Sequence, residues 1–532
     1  MKNKKKHHLT TSELRGIGLV VLGVIAFIYY YSWWFTKTMS IWSAIALVLA
    51  LTYGLIQLVG NWLLYLATHY RDSTCPCFTE NQFTVDVFVT ACDEDHALVE
   101  QALQACCNLS GEKKVWLLDD GNDPVLADMA TRFGAGYFVR SDRHDAKAGN
   151  INAALSRTHG DIIVIFDIDH APKPDFLTET LGCFDNPKVG FVQVMLTFAN
   201  RSESWISEAT AATSLDFYNP TSIGADGLRS ATLIGSNALI RRKALESIQG
   251  YQPGLAEDLA TSISLHAAGW QSVYVAEPLA PGIAPPDLVS WFTQQLKWSR
   301  GVFEILLTMF SSKFPQLQLG HQIMYAVRMT YYWIGLFTCA HVLLTIGVLW
   351  SGSAVVLTWF EKYLMHLAPL FGMTLLIRQL ALQRWKHPSL GMIKWQWKPT
   401  VLVFATWPIY TLSWFMAIFR VPLRFQPTPK TFTGLPHPVW VLPQIITTML
   451  LLTGLIFSFI TTKTLNVLGF GFALGQIVGQ LSLLSDWLRP ARIAATPSTA
   501  FSPSPHSEDE IVVSDRGVEK LDVHGFIAEK SK

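Results

Sequence analysis

The sequence predicts an α/β domain with a mostly parallel sheet, embedded in a multi-span α-helical membrane bundle. Half of the 532 residues are hydrophobic and only 15% are charged, which is unusual for a soluble protein. The apolar residues concentrate before residue 68 and after residue 322. The roughly 250 residues between these regions have an ordinary globular composition, and they are numerous enough to form a domain with its own core.

Two apolar runs open the chain, Gly16 to Phe35 and Ile41 to Ala67. The first run is too long for a secretory signal peptide and has no clear cleavage site. The basic stretch Met1 to His8 precedes it, and positive charge favours the cytoplasmic side of a membrane. We therefore expect residues 1–70 to form a transmembrane hairpin, with the N-terminus in the cytoplasm and the chain back on that side at Arg71.

Short β-rich runs alternate with helical ones between Phe83 and Leu196, a pattern typical of a parallel sheet wrapped by helices. The predicted strands are Val85 to Ala91, Lys114 to Leu118, Tyr137 to Arg140, Ile162 to Phe166 and Gly190 to Val194. Such sheets bind ligands at the carboxyl ends of their strands. The acidic residues at those ends are Asp93, Asp119, Asp120, Asp167 and Asp169. We expect the domain to span residues 80–285 and to bind its ligand at this edge.

Asp167 and Asp169 can bring two carboxylates to a divalent cation, and Mg²⁺ and Mn²⁺ prefer such oxygen ligands. A capped, solvated turn explains the same pattern, and Asp119-Asp120-Gly121 is equally open to ordinary turn chemistry. Lys147 lies where a loop enters a helix, which suits an anionic phosphate, although a solvated lysine is the plain alternative. Glu257-Asp258 precedes a helical pattern, where N-terminal capping is the simpler explanation. From the residues alone, these alternatives stay open.

Residues 286–320 are expected to form interfacial helices that carry the sequence QxxKW. Its tryptophan, Trp298, lies seven residues after another one, a spacing more typical of anchoring at a membrane interface than of a sugar-binding platform. Lys297 and Arg300 would add positive charge where a diphosphate leaving group needs it. Gln294 begins the motif.

Five apolar segments follow residue 321, and we expect residues 321–488 to form a C-terminal bundle. The segment Thr400 to Phe419 has basic residues on both sides, so the positive-inside rule puts both of its ends in the cytoplasm. It is therefore predicted to be an interfacial or re-entrant helix interrupted by Pro408, with a spanning helix as the alternative that its length permits. This gives six spans in all. Residues 489–532, rich in Ser, Pro and charge, are predicted to be a disordered cytoplasmic tail.

Composition also limits the function. The formal net charge is +1, and no basic patch is interleaved with aromatic residues, so nucleic-acid binding is not expected. The seven cysteines are odd in number and lack metal-finger spacing. We expect reduced, structural thiols, with zinc bound by Cys75, Cys77, Cys106 and Cys107 as a minor alternative.

Taken in order, the motifs DDG, KAGN, DxDH, GSN, ED and QxxKW closely resemble those of the membrane-embedded processive glycosyltransferases of family 2, the cellulose, chitin and hyaluronan synthases. The resemblance runs from about Thr90 to Phe310. It extends to Phe425-Gln-Pro-Thr-Pro-Lys430, within residues 420–436, which looks like the FxVTxK gating loop of that family. It implies a GT-A-like fold for the cytoplasmic domain.

The resemblance also implies a role for each site residue. Donor binding would involve Asp93, Asp119, Asp120, Lys147, Asp167, Lys297 and Arg300, and Asp167 and Asp169 would hold Mg²⁺ or Mn²⁺. Asp258 would be the general base of an inverting displacement that needs no enzyme nucleophile. Acceptor binding would involve Glu257, Gln294 and Trp298. The gating loop would use Phe425, Thr428 and Lys430.

The chain departs from the family pattern at three places. Ala256 replaces the usual threonine before the glutamate, which removes a hydroxyl near the base. Lys297 replaces the usual arginine, which keeps the charge but loses the bidentate fork. Val194-Met195 stands where cellulose synthases tend to have Thr-Pro, and this weakens any detailed assignment of the substrate.

The resemblance leads to the hypothesis of a processive inverting glycosyltransferase in the plasma (inner) membrane. It would polymerise a UDP-sugar, UDP-glucose in the first place, into a β-glucan such as cellulose or mixed-linkage glucan and pass the chain outward. Its partners would be the UDP-sugar, the growing polysaccharide, the bilayer and an accessory export subunit. The alternatives are a hexosaminyl polymer synthase, a single-addition lipid glycosyltransferase and a catalytically silent export subunit.

Overall fold

The computed structural model describes residues 10–37, 41–71, 75–76, 82–351, 357–384, 397–423, 427–431, 437–462 and 467–488. Phe425, residues 432–436 of the gating-loop-like segment and the predicted tail 489–532 therefore lie outside the described residues.

A seven-stranded sheet forms the centre of the domain between the two apolar regions. Its strands are β1 Val85–Ala91, β2 Lys114–Asp119, β3 Gly136–Val139, β4 Ile162–Asp167, β5 Val189–Phe198, β6 Ala238–Arg241 and β7 Gln271–Gly282. The order is β3-β2-β1-β4-β6-β5-β7. Only β6 runs against its neighbours β4 and β5, and the other pairs are parallel. The predicted fold class and all five predicted strands are confirmed, whereas β6 and β7 were not predicted.

The helices flank this sheet and both ends of the domain. They are, in chain order, α1 Thr11–Phe35, α2 Ile41–Gly54, α3 Gly60–Ala67, α4 His96–Cys107, α5 Pro124–Arg132, α6 Ala146–Leu155, α7 Phe176–Thr180, α8 Trp205–Asp216, α9 Ser222–Gly227, α10 Arg242–Ser247, α11 Glu257–Ala267, α12 Leu288–Ile305, α13 Ser311–Lys313, α14 Leu319–Thr330, α15 Ile334–Trp350, α16 Leu357–Arg384, α17 Trp397–Ala405, α18 Trp407–Ile418, α19 Leu442–Thr462 and α20 Val467–Leu488.

The apolar strands explain why the sheet is buried on both faces. Every residue of β1 is buried, and successive side chains point to opposite faces because the strand repeat is two residues. Val87 and Val89 join a cluster with α4, α5 and α7, whereas Phe88 joins a cluster with α6, α10 and α11. Helices on both faces are typical of sheets whose strands read as continuous apolar runs.

Six helical segments are long and apolar enough to cross a membrane, judged by length and composition among the described residues. They are Thr11–Phe35, Ala44–Tyr70, Leu319–Trp350, Phe360–Arg384, Trp397–Ile418 and Leu442–Thr462, and the apolar helix Gly469–Ser485 is shorter. The sequence also predicts six spans, but a different set. It counts the last apolar segment, which ends at Leu488, and leaves out the segment Thr400 to Phe419. That segment breaks at Thr406 into α17 and α18, which pack on α8 and α12 respectively. Its placement at the interface stays a prediction.

The N-terminal hairpin docks tightly on the domain. A Cβ on Gly224 of α9 would lie 1.9 Å from the carbonyl oxygen of Leu64 in α3, so only glycine permits this approach. Arg71 follows the hairpin and donates a hydrogen bond to Asp226 at 3.0 Å. These contacts fix the membrane helices against the domain.

One cysteine pair departs from the expectation of reduced thiols. Cys75 and Cys183 form a disulfide across 108 residues of sequence, so the expectation is wrong for this pair. Among the other described cysteines, Cys92, Cys106, Cys107 and Cys339 are free. The fold brings the two cysteines together, and no local sequence spacing predicts this pairing.

Candidate active site

A cavity of about 740 Å³ lies at the carboxyl ends of β1 and β4 and beside the start of α11. Most of the predicted site residues line it: Asp120, Lys147, Asp167, Asp169, Glu257, Asp258, Gln294, Lys297, Trp298, Thr428 and Lys430. The predicted residues Asp93, Asp119 and Arg300 are not part of its lining. The fold thus brings together polar residues that are more than 300 positions apart at their extremes.

The turn after β2 is held by its own aspartates. Asp119 is buried and accepts hydrogen bonds from the backbone of Gly121 at 2.6 Å and from the hydroxyl of Tyr137 at 2.7 Å. Asp120 accepts two hydrogen bonds from Arg140, at 2.6 and 2.8 Å. In this state, Asp119 organises the turn, and Asp120 reaches the cavity wall as half of a buried ion pair.

Asp93 occupies the loop after β1 in a left-handed conformation, with φ of 60°. Its exposed carboxylate pairs with Arg143 at 3.1 Å. Neither residue of this pair is part of the cavity lining.

Two lysines neutralise the carboxylates of the DxD motif. Lys147 is ion-paired with Asp167 and also donates to the carbonyl of Gly235 at 2.7 Å. Lys430 is ion-paired with Asp169. Burial alone would lower the pKa of Lys147, but the negative charges of Asp167 and other nearby carboxylates outweigh it and raise the pKa. The raised pKa keeps Lys147 protonated, and both lysine side chains lie at the carboxylates.

Asp167, Asp169 and His170 form a potential metal site, because one ligand atom of each lies within 4.8 Å of the others. The Nδ1 atom of His170 is 3.2 Å from Asp169, and its buried Nε2 has no hydrogen-bond partner among the described residues. The two carboxylates are ligands that Mn²⁺ and Mg²⁺ prefer, with water and phosphate completing the shell. The donor set therefore fits a divalent cation.

The predicted general base sits at the N-terminus of α11. The carboxylate of Asp258 accepts a hydrogen bond from the backbone N–H of Leu259 at 2.7 Å. Burial raises the pKa of Asp258, although the positive charge of Arg328 opposes this. Burial and the neighbouring Asp258 raise the pKa of Glu257 to about 7. A carboxylate whose pKa is raised holds a proton more strongly, as a general base requires.

Helix α12 presents the QxxKW residues to the cavity. Gln294 is buried, and its side-chain oxygen has no hydrogen-bond partner within the described part of the chain, so it is available to a ligand. Trp298 is 39% exposed, which leaves part of its ring open for stacking. Burial lowers the pKa of Lys297, although Glu257 opposes this. Arg300 points elsewhere, because it is paired with Glu304 at 2.8 Å.

The gating-loop-like segment contributes three described residues to the cavity lining, Pro427, Thr428 and Lys430. Thr428 is buried in the cavity wall, and Lys430 reaches Asp169. The loop thus contacts Asp169 of the DxD motif directly, although the two residues of this ion pair are 261 positions apart.

Sequence reasoning missed Glu94, Arg140, His170 and Arg328 as individual site residues. Glu94 lines the cavity, and burial raises its pKa to about 7. Its only sequence signal is its place just after β1, next to Asp93. Arg328 acts on Asp258 from α14, 70 residues later in the chain, and no local pattern marks it.

The cavity continues from the site into the helical bundle. Its lining includes residues of α3, α8, α16 and α17 beside those of the domain. Polar side chains such as Gln57, Asn61 and Thr213 lie on this part of the wall. Polar groups at membrane helices are expected to face protein or a water-filled space, because lipid cannot hydrogen-bond them.

Comparison with known proteins adds a family and several relatives. The family model described as glycosyl transferase family group 2 matches residues 162–474, which is more than half of the chain. The chain is 28% identical over 328 residues to the UDP-forming cellulose synthase 1 catalytic subunit of Komagataeibacter xylinus, covering 59% of this chain and 44% of that protein. It is 30% identical over 339 residues to the UDP-forming cellulose synthase catalytic subunit of Pseudomonas fluorescens, covering 60% and 46%.

The chain spans less than half of the length of these relatives. Among solved structures, it is similar to the mannosyltransferase PcManGT from Pyrobaculum calidifontis in complex with GDP-Man and Mn²⁺. That match has a TM-score of 0.46 and 15% identity, and it covers 70% of this chain and 99% of the other.

Proposed function

Since the chain belongs to glycosyl transferase family group 2, we propose that it is a membrane-bound, processive, inverting enzyme that polymerises a UDP-sugar. The sugar is glucose, and the product is a β-glucan such as cellulose or a mixed-linkage glucan that passes outward between the helices. One observation carries this proposal: a single cavity joins the DxD carboxylates, the base candidate Asp258 and Trp298, and then continues into the helical bundle.

The donor site combines charges of both signs. Asp167, Asp169 and His170 would hold the divalent cation, which neutralises a diphosphate and stabilises the charge that develops on it. Lys147, Lys297 and Lys430 line the same cavity and add positive charge for the diphosphate. The preference for a UDP-sugar is supported by the relatives, which are named UDP-forming cellulose synthase catalytic subunits.

The acceptor reaction then needs one base and a fixed sugar. Asp258 takes the proton of the acceptor hydroxyl as its oxygen attacks the anomeric carbon, and no enzyme nucleophile is required. Trp298 offers a partly open ring face to the acceptor sugar, and Gln294 offers its side-chain oxygen, which has no partner among the described residues. The catalytic domain lies on the cytoplasmic side of the plasma (inner) membrane, where nucleotide sugars are available.

The test uses purified full-length protein in nanodiscs with Mg²⁺ or Mn²⁺ and a panel of UDP-sugars. UDP release and product length are measured for the wild type, for Asp258→Asn and for Asp128→Asn, whose side chain is exposed on α5. A long polymer from UDP-glucose that only Asp258→Asn abolishes supports the proposal.

Other outcomes point elsewhere. If polymer forms only from a hexosamine donor, the proposed sugar is wrong but the proposed mechanism stands. Products extended by one unit on a lipid favour single addition. No UDP release with any donor contradicts the proposal and favours a silent export subunit.

A further inference from the structure

The ion pair between Asp216 and Arg378 lies on the wall of the same cavity, and it includes none of the predicted catalytic residues. Asp216 ends α8 and Arg378 belongs to α16, so the pair joins the domain side to a membrane helix. The Nη2 atom of Arg378 is 2.8 and 2.6 Å from the two carboxylate oxygens, and Nε is 3.2 Å from one of them. Side-chain exposure is 39% for Asp216 and 32% for Arg378. Both residues line the cavity.

Two tyrosines line the same cavity as this pair and the predicted base Asp258. They are Tyr331 and Tyr332. The two rings are 5.1 Å apart. A wall of rings and hydroxyls offers both apolar faces and hydrogen-bonding groups. A sugar also has apolar C–H faces and hydroxyl groups, so the two surfaces match.

We propose that Asp216 and Arg378 form a carbohydrate subsite that binds the acceptor glycan behind its reacting end. This inference rests on the proposed function and extends it. The Nη1 group of Arg378 makes no hydrogen bond within the described part of the chain, so it can donate to a sugar oxygen. The carboxylate of Asp216 retains lone pairs that accept from sugar hydroxyls.

The charge of the subsite selects the ligand class. Arg378 and Asp216 cancel one another, so the subsite is neutral overall and attracts an uncharged polyol more than an anionic lipid phosphate. An anion bound to Arg378 would also meet the negative charge of Asp216, which lies within hydrogen-bond distance of the same guanidinium and repels it.

A second ion pair on the same helix provides a matched control. Glu208 of α8 is ion-paired with Lys398 of α17, and neither residue lines the cavity. Both pairs anchor α8 to the membrane helices, but only Asp216–Arg378 faces the space that the glycan would occupy. A purely structural role would therefore affect both pairs alike.

The experiment compares D216N/R378Q with E208Q/K398Q in the full-length protein in nanodiscs. Both double variants stay neutral, which avoids leaving one charge unpaired. The KM for oligosaccharide acceptors of increasing length is measured with the donor saturating, together with product length. For the wild type, KM falls once the acceptor is long enough to reach the pair. In D216N/R378Q this fall is lost and the KM for long acceptors rises about tenfold, as expected for one or two lost charge-assisted hydrogen bonds.

Each result is decisive. Equal changes in both double variants mean that the pair only anchors α8, and they overturn the inference. A changed KM for a polyprenyl phosphate acceptor, with oligosaccharides unaffected, overturns the carbohydrate class. No elongation by the wild type with any donor refutes the proposed function itself, a failure that is distinct from the other two. Where D216N/R378Q aggregates, Arg378→Lys is used, because it keeps the charge; a rise of about threefold in the KM for long acceptors is expected as the fork is lost.

Discussion

Arg140→Lys tests how the donor side of the cavity is held. Arg140 donates four hydrogen bonds: two to Asp120 at 2.6 and 2.8 Å, one to the carbonyl of His144 at 2.6 Å and one to that of Ala146 at 2.7 Å. A lysine ammonium keeps the contact with Asp120 but cannot reproduce the planar fork. Two hydrogen bonds from a charged donor are lost, which costs about 3 kcal/mol in the free energy of unfolding.

The assay is thermal unfolding in detergent, followed by intrinsic tryptophan fluorescence, with the KM for the donor measured in parallel. A loss of that size lowers the midpoint by about 6–12 °C for a domain of this length. The KM for the donor should rise, because the hydrogen bonds of Arg140 join the turn after β2 to the start of α6, which carries Lys147. Arg132→Lys is the control: its pair with Glu100 is 3.6 Å long and exposed, so its effect should stay below about 1 kcal/mol. Equal midpoints for the two variants would refute the reasoning.

Three further outcomes follow from the charges and the packing. Lys430→Met removes the ammonium group that is paired with Asp169, and this ammonium would repel a metal cation by a few kcal/mol at most. The variant without nucleotide should therefore bind Mn²⁺ about tenfold more tightly, as measured by calorimetry. Weaker binding would contradict this. Burial raises the pKa of Glu94 from 4.5 to about 7, so ionisation costs more in the folded than in the unfolded state, and stability falls as the pH rises through that range. Glu94→Gln should remove the part of this loss of stability that comes from Glu94. An unchanged pH dependence of the melting temperature would contradict this prediction. Gly224→Ala should destabilise the docking of the hairpin, because its Cβ would lie 1.9 Å from the carbonyl of Leu64, and unaltered melting would disprove the close approach.

The first five strands could be predicted because each combines a β-rich run with a turn at its end. Strand β4 is an example, since Ile162 to Phe166 is uniformly apolar and is followed by acidic residues. The two missed strands lack that signal. Strand β6 has four residues and runs antiparallel between β4 and β5, and β7 contains two prolines, which usually argue against a strand.

The family resemblance drawn from the ordered motifs is confirmed by the family match. Ordered motifs succeed where single ones fail, because each short pattern has an ordinary turn or cap as its explanation. The roles of the individual residues remain predictions. Asp119 of the DDG motif, which holds its own turn instead of lining the cavity, shows that a motif alone does not fix where a side chain points.

The contacts that sequence reasoning could not supply are those between distant charges. Lys147 and Asp167 are 20 residues apart, and Lys430 and Asp169 are 261 apart. Each carboxylate that could hold a cation is paired with a lysine that could hold a phosphate. A cation alone meets the repulsion of the lysines, and a diphosphate alone meets that of the carboxylates. A nucleotide sugar with its cation carries both signs, so it can exchange with both pairs at once. The charge pattern therefore favours binding of donor and cation together over binding of either one alone.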